Sequence, residues 1–187
     1  MSRAEVRALC SELGITPEWL KARHLPFHVE ARHLTPVGLG TDGRDKLLHR
    51  PAARAWLAMR SAAAREGIAL QLVSAFRSYA FQAALIRAKL ERGTPLEEVL
   101  RINAPPGYSE HHSGHAVDIG SADCGALDEA FEHTAAFAWL TRHAAPFGFV
   151  MSYPRENAQG FLYEPWHWCW RASLAAKSDH LLDHHED

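Results

Sequence analysis

Residues 109 to 118, Ser-Glu-His-His-Ser-Gly-His-Ala-Val-Asp, place three imidazoles and two carboxylates within ten positions. Imidazole and carboxylate are the donors of catalytic zinc sites, in which three protein ligands leave a further position open for water. The run Ala116-Val117-Asp118-Ile119 has strand character, so Asp118 shares a face with Ala116 and Gly114 and has open space above it. His115, Val117 and Ile119 point the other way, into packing, which makes His115 the weakest of the three as a ligand. Periodicity across Ser113-Gly114 does not choose between His111 and His112. Taken singly, each of these histidines could equally be a hydrogen-bonding residue of a loop.

A second constellation gives the first its weight. Glu164-Pro165-Trp166-His167-Trp168 supplies another carboxylate and imidazole with the spacing Glu-x-x-His. Residues three apart in a straight strand face opposite sides, but Pro165 removes a backbone donor and biases Glu164 toward an extended conformation, so a local bend would aim both at one centre. Two imidazoles and one carboxylate would then hold zinc. Glu164, the carboxylate left over, would take a proton from the activated water and return it to the leaving amine. Arg77 lies where a core strand hands over to a helix, a place from which side chains project into clefts. There it could bind a substrate carbonyl or stabilise the oxyanion that develops on it. Gln82, on the first turns of that helix, is on the side that could face the same cleft. The plainer alternatives are a surface pairing of Arg77 with an acid, and Trp166 and Trp168 as core residues flanking an ordinary ion pair.

These residues need a scaffold to position them. Ser2 with Glu5 is a capping box that opens a helix closed by Gly14, and Thr16-Pro17-Glu18 starts a short second helix. Together they predict an N-terminal cover within residues 1–45. Phe27 to Asp45 reads as a strand followed by a long loop. Pro51 to Glu66 carries Ala52, Ala55, Trp56, Met59 and Ala63 at the spacing of one helix face. Ile68 to Val73 follows as a buried strand, Tyr79 to Arg92 as a helix, and Pro95 to Ile102 as a short helix before the rigid turn Ala104-Pro105-Pro106-Gly107. Leu127 to His143 is amphipathic, with Phe131, Ala135, Trp139 and Leu140 as its core stripe. Phe147 to Met151 and Gly160 to Trp170 read as two strands joined by the polar loop 154–159. The expected fold class is α+β, a small antiparallel sheet flanked by helices. No linker divides the chain, so one domain is expected over 1–187, with its catalytic core at 68–170 and a polar tail at 178–187 whose His180, His184 and His185 are solvated.

Composition narrows the function classes. A net charge of −2 without a basic run argues against nucleic-acid binding by phosphate neutralisation. No apolar run approaches the ~20 residues of a membrane span. Cys10, Cys124 and Cys169 are odd in number and far apart, which fits reduced thiols better than a disulfide framework. As written, the chain shows no secretory pattern at its N-terminus and is expected in the cytoplasm; a leader removed beforehand would place it in the periplasm or at the cell wall.

The two motifs resemble those of a known family. Ser109 to Asp118 fits Ser-x-His-x-x-Gly-x-Ala-x-Asp, Glu164 to Trp168 fits Glu-x-Trp-His followed by an aromatic, and Ser-Ala-Phe-Arg-Ser around Arg77 looks like the same family's arginine motif. Together, over about residues 68–170, they resemble the zinc D-alanyl-D-alanine carboxypeptidases of the vancomycin-resistance type and the related L,D-carboxypeptidases that trim peptidoglycan stem peptides. The resemblance implies one zinc ion held by His111, Asp118 and His167, with Glu164 as catalytic base and Arg77 polarising the scissile carbonyl. It implies Ser109, Gln82 and Tyr153 as substrate-binding residues, and leaves His112 and His115 at variable positions. The fold it implies is shared with lysostaphin-type peptidases and the hedgehog signalling domain. The expected activity is removal of a C-terminal D-alanine from a stem peptide or muropeptide, by D,D- or L,D-cleavage. D,D-dipeptidase or endopeptidase action on the same site is an alternative, and a non-catalytic zinc- or peptide-binding module is one of another class. The oligomeric state is left open.

Overall fold

The computed structural model describes residues 1–174 of the chain, and the polar tail expected at 178–187 lies outside them. The chain opens with helices α1 (Arg3–Glu12) and α2 (Pro17–Ala22). The Ser2 hydroxyl accepts from the Glu5 backbone N–H while the Glu5 carboxylate accepts from that of Ser2, so two orphan donors are satisfied reciprocally. Thr16 caps α2 ahead of Pro17. An extended segment leads into a hairpin of β1 (Leu34–Leu39) and β2 (Asp45–His49), where the sequence suggested one strand and a long loop. The return is tight because the Asp42 carboxylate accepts from the Arg44 backbone N–H and from the Lys46 ammonium, and Gly43 takes φ 71°.

Helix α3 (Arg50–Arg65) buries Ala52, Trp56, Met59 and Ala63 as its spacing requires, with Ala53 beside them and Ala55 only half-buried. Then come β3 (Gln71–Ser74), α4 (Tyr79–Glu91), α5 (Leu96–Ile102), β4 (Ala116–Gly120), α6 (Ala135–His143), β5 (Phe149–Met151) and β6 (His167–Trp170). Four expected elements are shorter than their patterns: the strand expected from Ile68 begins at Gln71, and that expected from Phe147 begins at Phe149, because Ala145–Phe147 is a 3₁₀ turn closed by Gly148 in the left-handed region. The stretch 127–143 splits into a 3₁₀ turn, Glu129–His133, and α6, because Thr134 is extended and its hydroxyl caps a new helix by accepting from the Phe137 N–H. That break rotates the stripe, so Ala136 is buried and Ala135 exposed. The strand expected from Gly160 begins only at His167, since the segment before it is irregular and ends in a turn at Pro165-Trp166.

The four-stranded sheet runs β3-β4-β6-β5, antiparallel throughout. Alternation along each strand gives it two unlike faces. Leu72, Val117, Ile119, Phe149 and Trp168 enter the main core with Trp56 and Met59 of α3 and Trp139 and Leu140 of α6. Asp118 and His167 stand on the opposite face, directly across from each other in the β4-β6 register. On that side, Cys10, Leu13, Ile15 and Leu20 from α1, α2 and the turn between them pack on Ala83, Ile86, Val99 and Leu100 of α4 and α5. Residues 28–31 strap this layer down. Tyr79 donates its hydroxyl to the His28 carbonyl, the Glu30 carboxylate accepts the Tyr79 backbone N–H, and Ala31 N–H donates to the His112 carbonyl.

Candidate metal centre and active site

Directly opposed residues of an antiparallel pair project on the same face, which brings His167 Nδ1 to 3.1 Å from Asp118 Oδ1. His111 reaches the pair from a 3₁₀ turn, Glu110–Ser113, that stops at Gly114 with φ 69°. A Cβ at Gly114 would lie 2.8 Å from the His49 backbone nitrogen, so the turn depends on glycine both for its backbone region and for its clearance. The turn sets His111 Nε2 3.3 Å from Asp118 Oδ2. His111 Nδ1 lies 2.6 Å from the Ala75 carbonyl, which can only accept, so the proton sits on Nδ1 and Nε2 carries a lone pair. That Nε2 is buried without a hydrogen-bond partner. One donor atom each from His111, Asp118 and His167 lie within 4.8 Å of one another, and the three residues are 1–2% exposed. Two dry imidazoles, one with an orphaned lone pair, and a carboxylate fit the donor set of zinc.

The 3₁₀ turn also separates the neighbouring histidines, since successive side chains on three residues per turn diverge widely. His112 points away from the centre and is fully buried. Its Nδ1–H donates to the Arg77 carbonyl at 2.7 Å and its Nε2 accepts from the Gly107 N–H at 3.1 Å, tying the β3–α4 corner to the Pro105-Pro106-Gly107 turn. His115 packs against Trp170, with its Nε2 3.2 Å from His49 Nδ1.

Glu164 approaches from the other side. The bend at Pro165 is a complete turn, closed by the His167 N–H donating to the Glu164 carbonyl at 3.1 Å. It brings Glu164 Oε2 to 3.8 Å from His167 Nδ1, beside the cluster and outside it. Burial pushes the Glu164 carboxyl up to about 7, against the pull of His167, which is where a general base at neutral pH is best placed. Burial and the Arg77 charge push His111 down to about 4. At His167 burial is overridden by hydrogen bonds to Asp118 and Glu110, which hold the imidazolium up to about 10. Burial disfavours the Asp118 carboxylate, but His111 and Arg77 keep it well below the usual range.

Arg77 occupies the strand–helix corner expected for it. One guanidinium nitrogen donates to Asp118 Oδ2 at 2.8 Å and another to Gln82 Oε1 at 3.3 Å, while its Nε is buried without a partner. Gln82 is fixed by its amide donating to the Ala104 carbonyl. Ser109, Tyr153, Phe161 and Asn103 join Arg77, Gln82, His111, Glu164 and His167 around a recess of about 20 Å³, with the Tyr153 ring 4.7 Å from that of His167. An outer cleft of about 470 Å³ shares Arg77, Asp118 and Glu164, and extends past Lys89, Asn103, Leu127, Leu162, Tyr163 and Trp166. The structure thus brings all eight sequence-predicted site residues to one place. It adds Glu110, whose carboxylate meets His167 Nε2 at 3.0 Å. Glu110 lies at a variable position of the motif, and its only sequence signal was a carboxylate inside the histidine cluster.

Among the described residues no helix is long and apolar enough to cross a membrane. A family model described as VanY, D-alanyl-D-alanine carboxypeptidase, matches residues 45–173. YodJ of Bacillus subtilis, provisionally named a carboxypeptidase, is 36% identical over 139 residues, covering 72% of this chain and 50% of that protein. The chain therefore spans about half the length of this curated relative. The solved structure of the LdcB LD-carboxypeptidase superposes with a TM-score of 0.70 at 30% identity, over 83% of this chain and 76% of that one. DacB from Streptococcus pneumoniae D39 does so with a TM-score of 0.57 at 29% identity, over 72% of each chain.

Proposed function

The chain belongs to the VanY D-alanyl-D-alanine carboxypeptidase family, and from that premise we propose that it is a zinc metallopeptidase that removes a C-terminal D-alanine from peptidoglycan-derived stem peptides. The observation that carries the reading is the buried His111, Asp118 and His167 cluster with Glu164 on one side and Arg77 on the other. His111 through Nε2, Asp118 through its carboxylate and His167 through Nδ1 would hold the ion. When bound, zinc supplies Lewis-acid activation of water and of the scissile carbonyl. Glu164, with its carboxyl near 7, takes the proton of the attacking water and delivers it to the departing D-alanine amine. Arg77 presents its guanidinium edge to the carbonyl oxygen and stabilises charge that develops there. Gln82, Ser109 and Tyr153 line the recess in which the terminal residue is held.

Two dimensions favour carboxypeptidase action over its alternatives. The inner recess of about 20 Å³ admits about one water-sized group, so it takes the tip of a small terminal residue, such as its carboxylate, and not a continuing chain as an endopeptidase requires. The outer cleft of about 470 Å³ has room for residues upstream of the bond, which a dipeptidase does not need. A silent binding module would need neither Glu164 nor Arg77 at the centre. Whether the bond is D,D or L,D follows from the residue seated in the cleft, and peptides of both kinds belong in the test. Zinc-loaded protein incubated with tetra- and pentapeptide stems is expected to release D-alanine, with the tripeptide stem, which carries no D-alanine, as the blank, and a chelator to stop the release. Absence of release from tetra- and pentapeptide stems alike, or undiminished release by Glu164→Ala, would overturn the proposal.

A further inference from the structure

The ring of His167 is gripped at both nitrogens. Nδ1 faces Asp118 Oδ1 at 3.1 Å and Nε2 faces Glu110 Oε2 at 3.0 Å. Both partners are carboxylates that accept and do not donate when ionised. They differ in position: Asp118 belongs to the cluster with His111, whereas Glu110 stands on the far side of the ring. The Glu110 carboxylate is itself held, since it accepts from the Ser152 hydroxyl and the Arg171 guanidinium and is buried to 8% exposure. A buried acid with three donors around it, one of them a ring of the cluster, is more than a surface ion pair.

From this geometry we propose that Glu110 is a positioning residue for the metal: it keeps the one proton of His167 on Nε2 and so presents the Nδ1 lone pair to the ion. The inference rests on the zinc reading above and adds to it a residue that no motif position assigns. It also gives the Glu110–Ser113 turn a double role. The turn that delivers His111 as one ligand carries, one residue earlier, the group that orients the other, so the two histidines are set by a single backbone element. Ser152 and Arg171 complete the arrangement by fixing the carboxylate. Acidic partners of ligating histidines fix ring orientation and tautomer, and their loss weakens metal binding by 10–100-fold.

The test has two arms. In zinc-loaded protein with ¹⁵N-labelled histidine, long-range ¹H–¹⁵N spectra should show His167 protonated at Nε2 and metal-bound through Nδ1. In competition with a zinc buffer, with affinities compared after allowing for the proton that zinc displaces from His167, Glu110→Gln should bind zinc tenfold or more weakly than wild type, and the His167 Nε2–H signal of the zinc-loaded variant should move; a residue that merely braces the fold would leave that spectrum as it was. Equal affinity in the variant, or a metal found on Nε2, overturns the inference while leaving the zinc reading intact. Wild-type protein that binds no zinc overturns both. Should Glu110→Gln not fold, the wild-type spectrum decides alone.

Discussion

Zinc needs the Nδ1 lone pair of His167, and in metal-free protein that nitrogen donates its proton to Asp118 while Nε2 donates to Glu110. The two hydrogen bonds raise the imidazolium to about 10 against the opposing effect of burial. Loading the metal therefore exchanges a proton for the ion. At pH 7 the ring lies three pH units below its titration point, and at about 1.4 kcal/mol per unit the displacement costs roughly 4 kcal/mol of zinc affinity. The cost falls as pH rises. Between pH 7 and 9, above the titration of Glu164 near 7, the zinc dissociation constant is expected to tighten about tenfold per pH unit, about a hundredfold in all. A histidine at its ordinary value of about 6.5 would give a flat profile across that range. Competition with a chelator of known pH dependence measures the constant, and calorimetry in buffers of different ionisation enthalpy counts the proton released. A change of less than about threefold from pH 7 to 9, or no proton released, would refute the doubly hydrogen-bonded imidazolium on which the reasoning stands.

The same pair of hydrogen bonds gives the metal-free protein a pH-dependent stability. His167 is held above its unfolded value, so its contribution is fully present below about 6.5 and is lost as pH rises through about 10; denaturant midpoints of chelated protein should fall over that interval. Glu164→Gln is expected to retain zinc, by metal analysis, and to lose on the order of 10²–10⁴ in turnover, because Glu164 lies beside the cluster and is the proton carrier. Gly114→Ala should cost upward of about 1–2 kcal/mol from the left-handed backbone alone, with more from the contact at 2.8 Å with the His49 nitrogen, and should weaken zinc because the turn that aims His111 must shift; urea melts and zinc titration read the two effects separately. Trp56→Ala, at the fully buried centre of the face opposite the site, should lose about 3–5 kcal/mol of stability while a protein that remains folded keeps its metal affinity.

Much of this protein is written locally. Capping residues fixed α1 and α2, the apolar stripe fixed α3, and both chemical motifs stood in the chain because a metal ligand must be a particular residue type wherever it falls. The bend that turns Glu164 toward His167 was legible for the same reason: Pro165 constrains its own φ and its neighbour's backbone. Other features depended on groups that the local pattern does not contain. Residue alternation could not rank His111 against His112, because the turn between them and β4 is 3₁₀ and not extended, and its direction is set by Gly114 passing the His49 backbone. The break at Thr134 came from a side-chain cap competing with a continuous apolar stripe. Glu110 became part of the site only when β6 carried His167 across from Asp118 and left Nε2 facing the turn. Sequence determined which chemical groups are available and the short-range geometry of each. Tertiary structure decided which groups meet, because the contact between β4 and β6 joins residues 49 apart in the chain, and its register depends on the whole buried face beneath it.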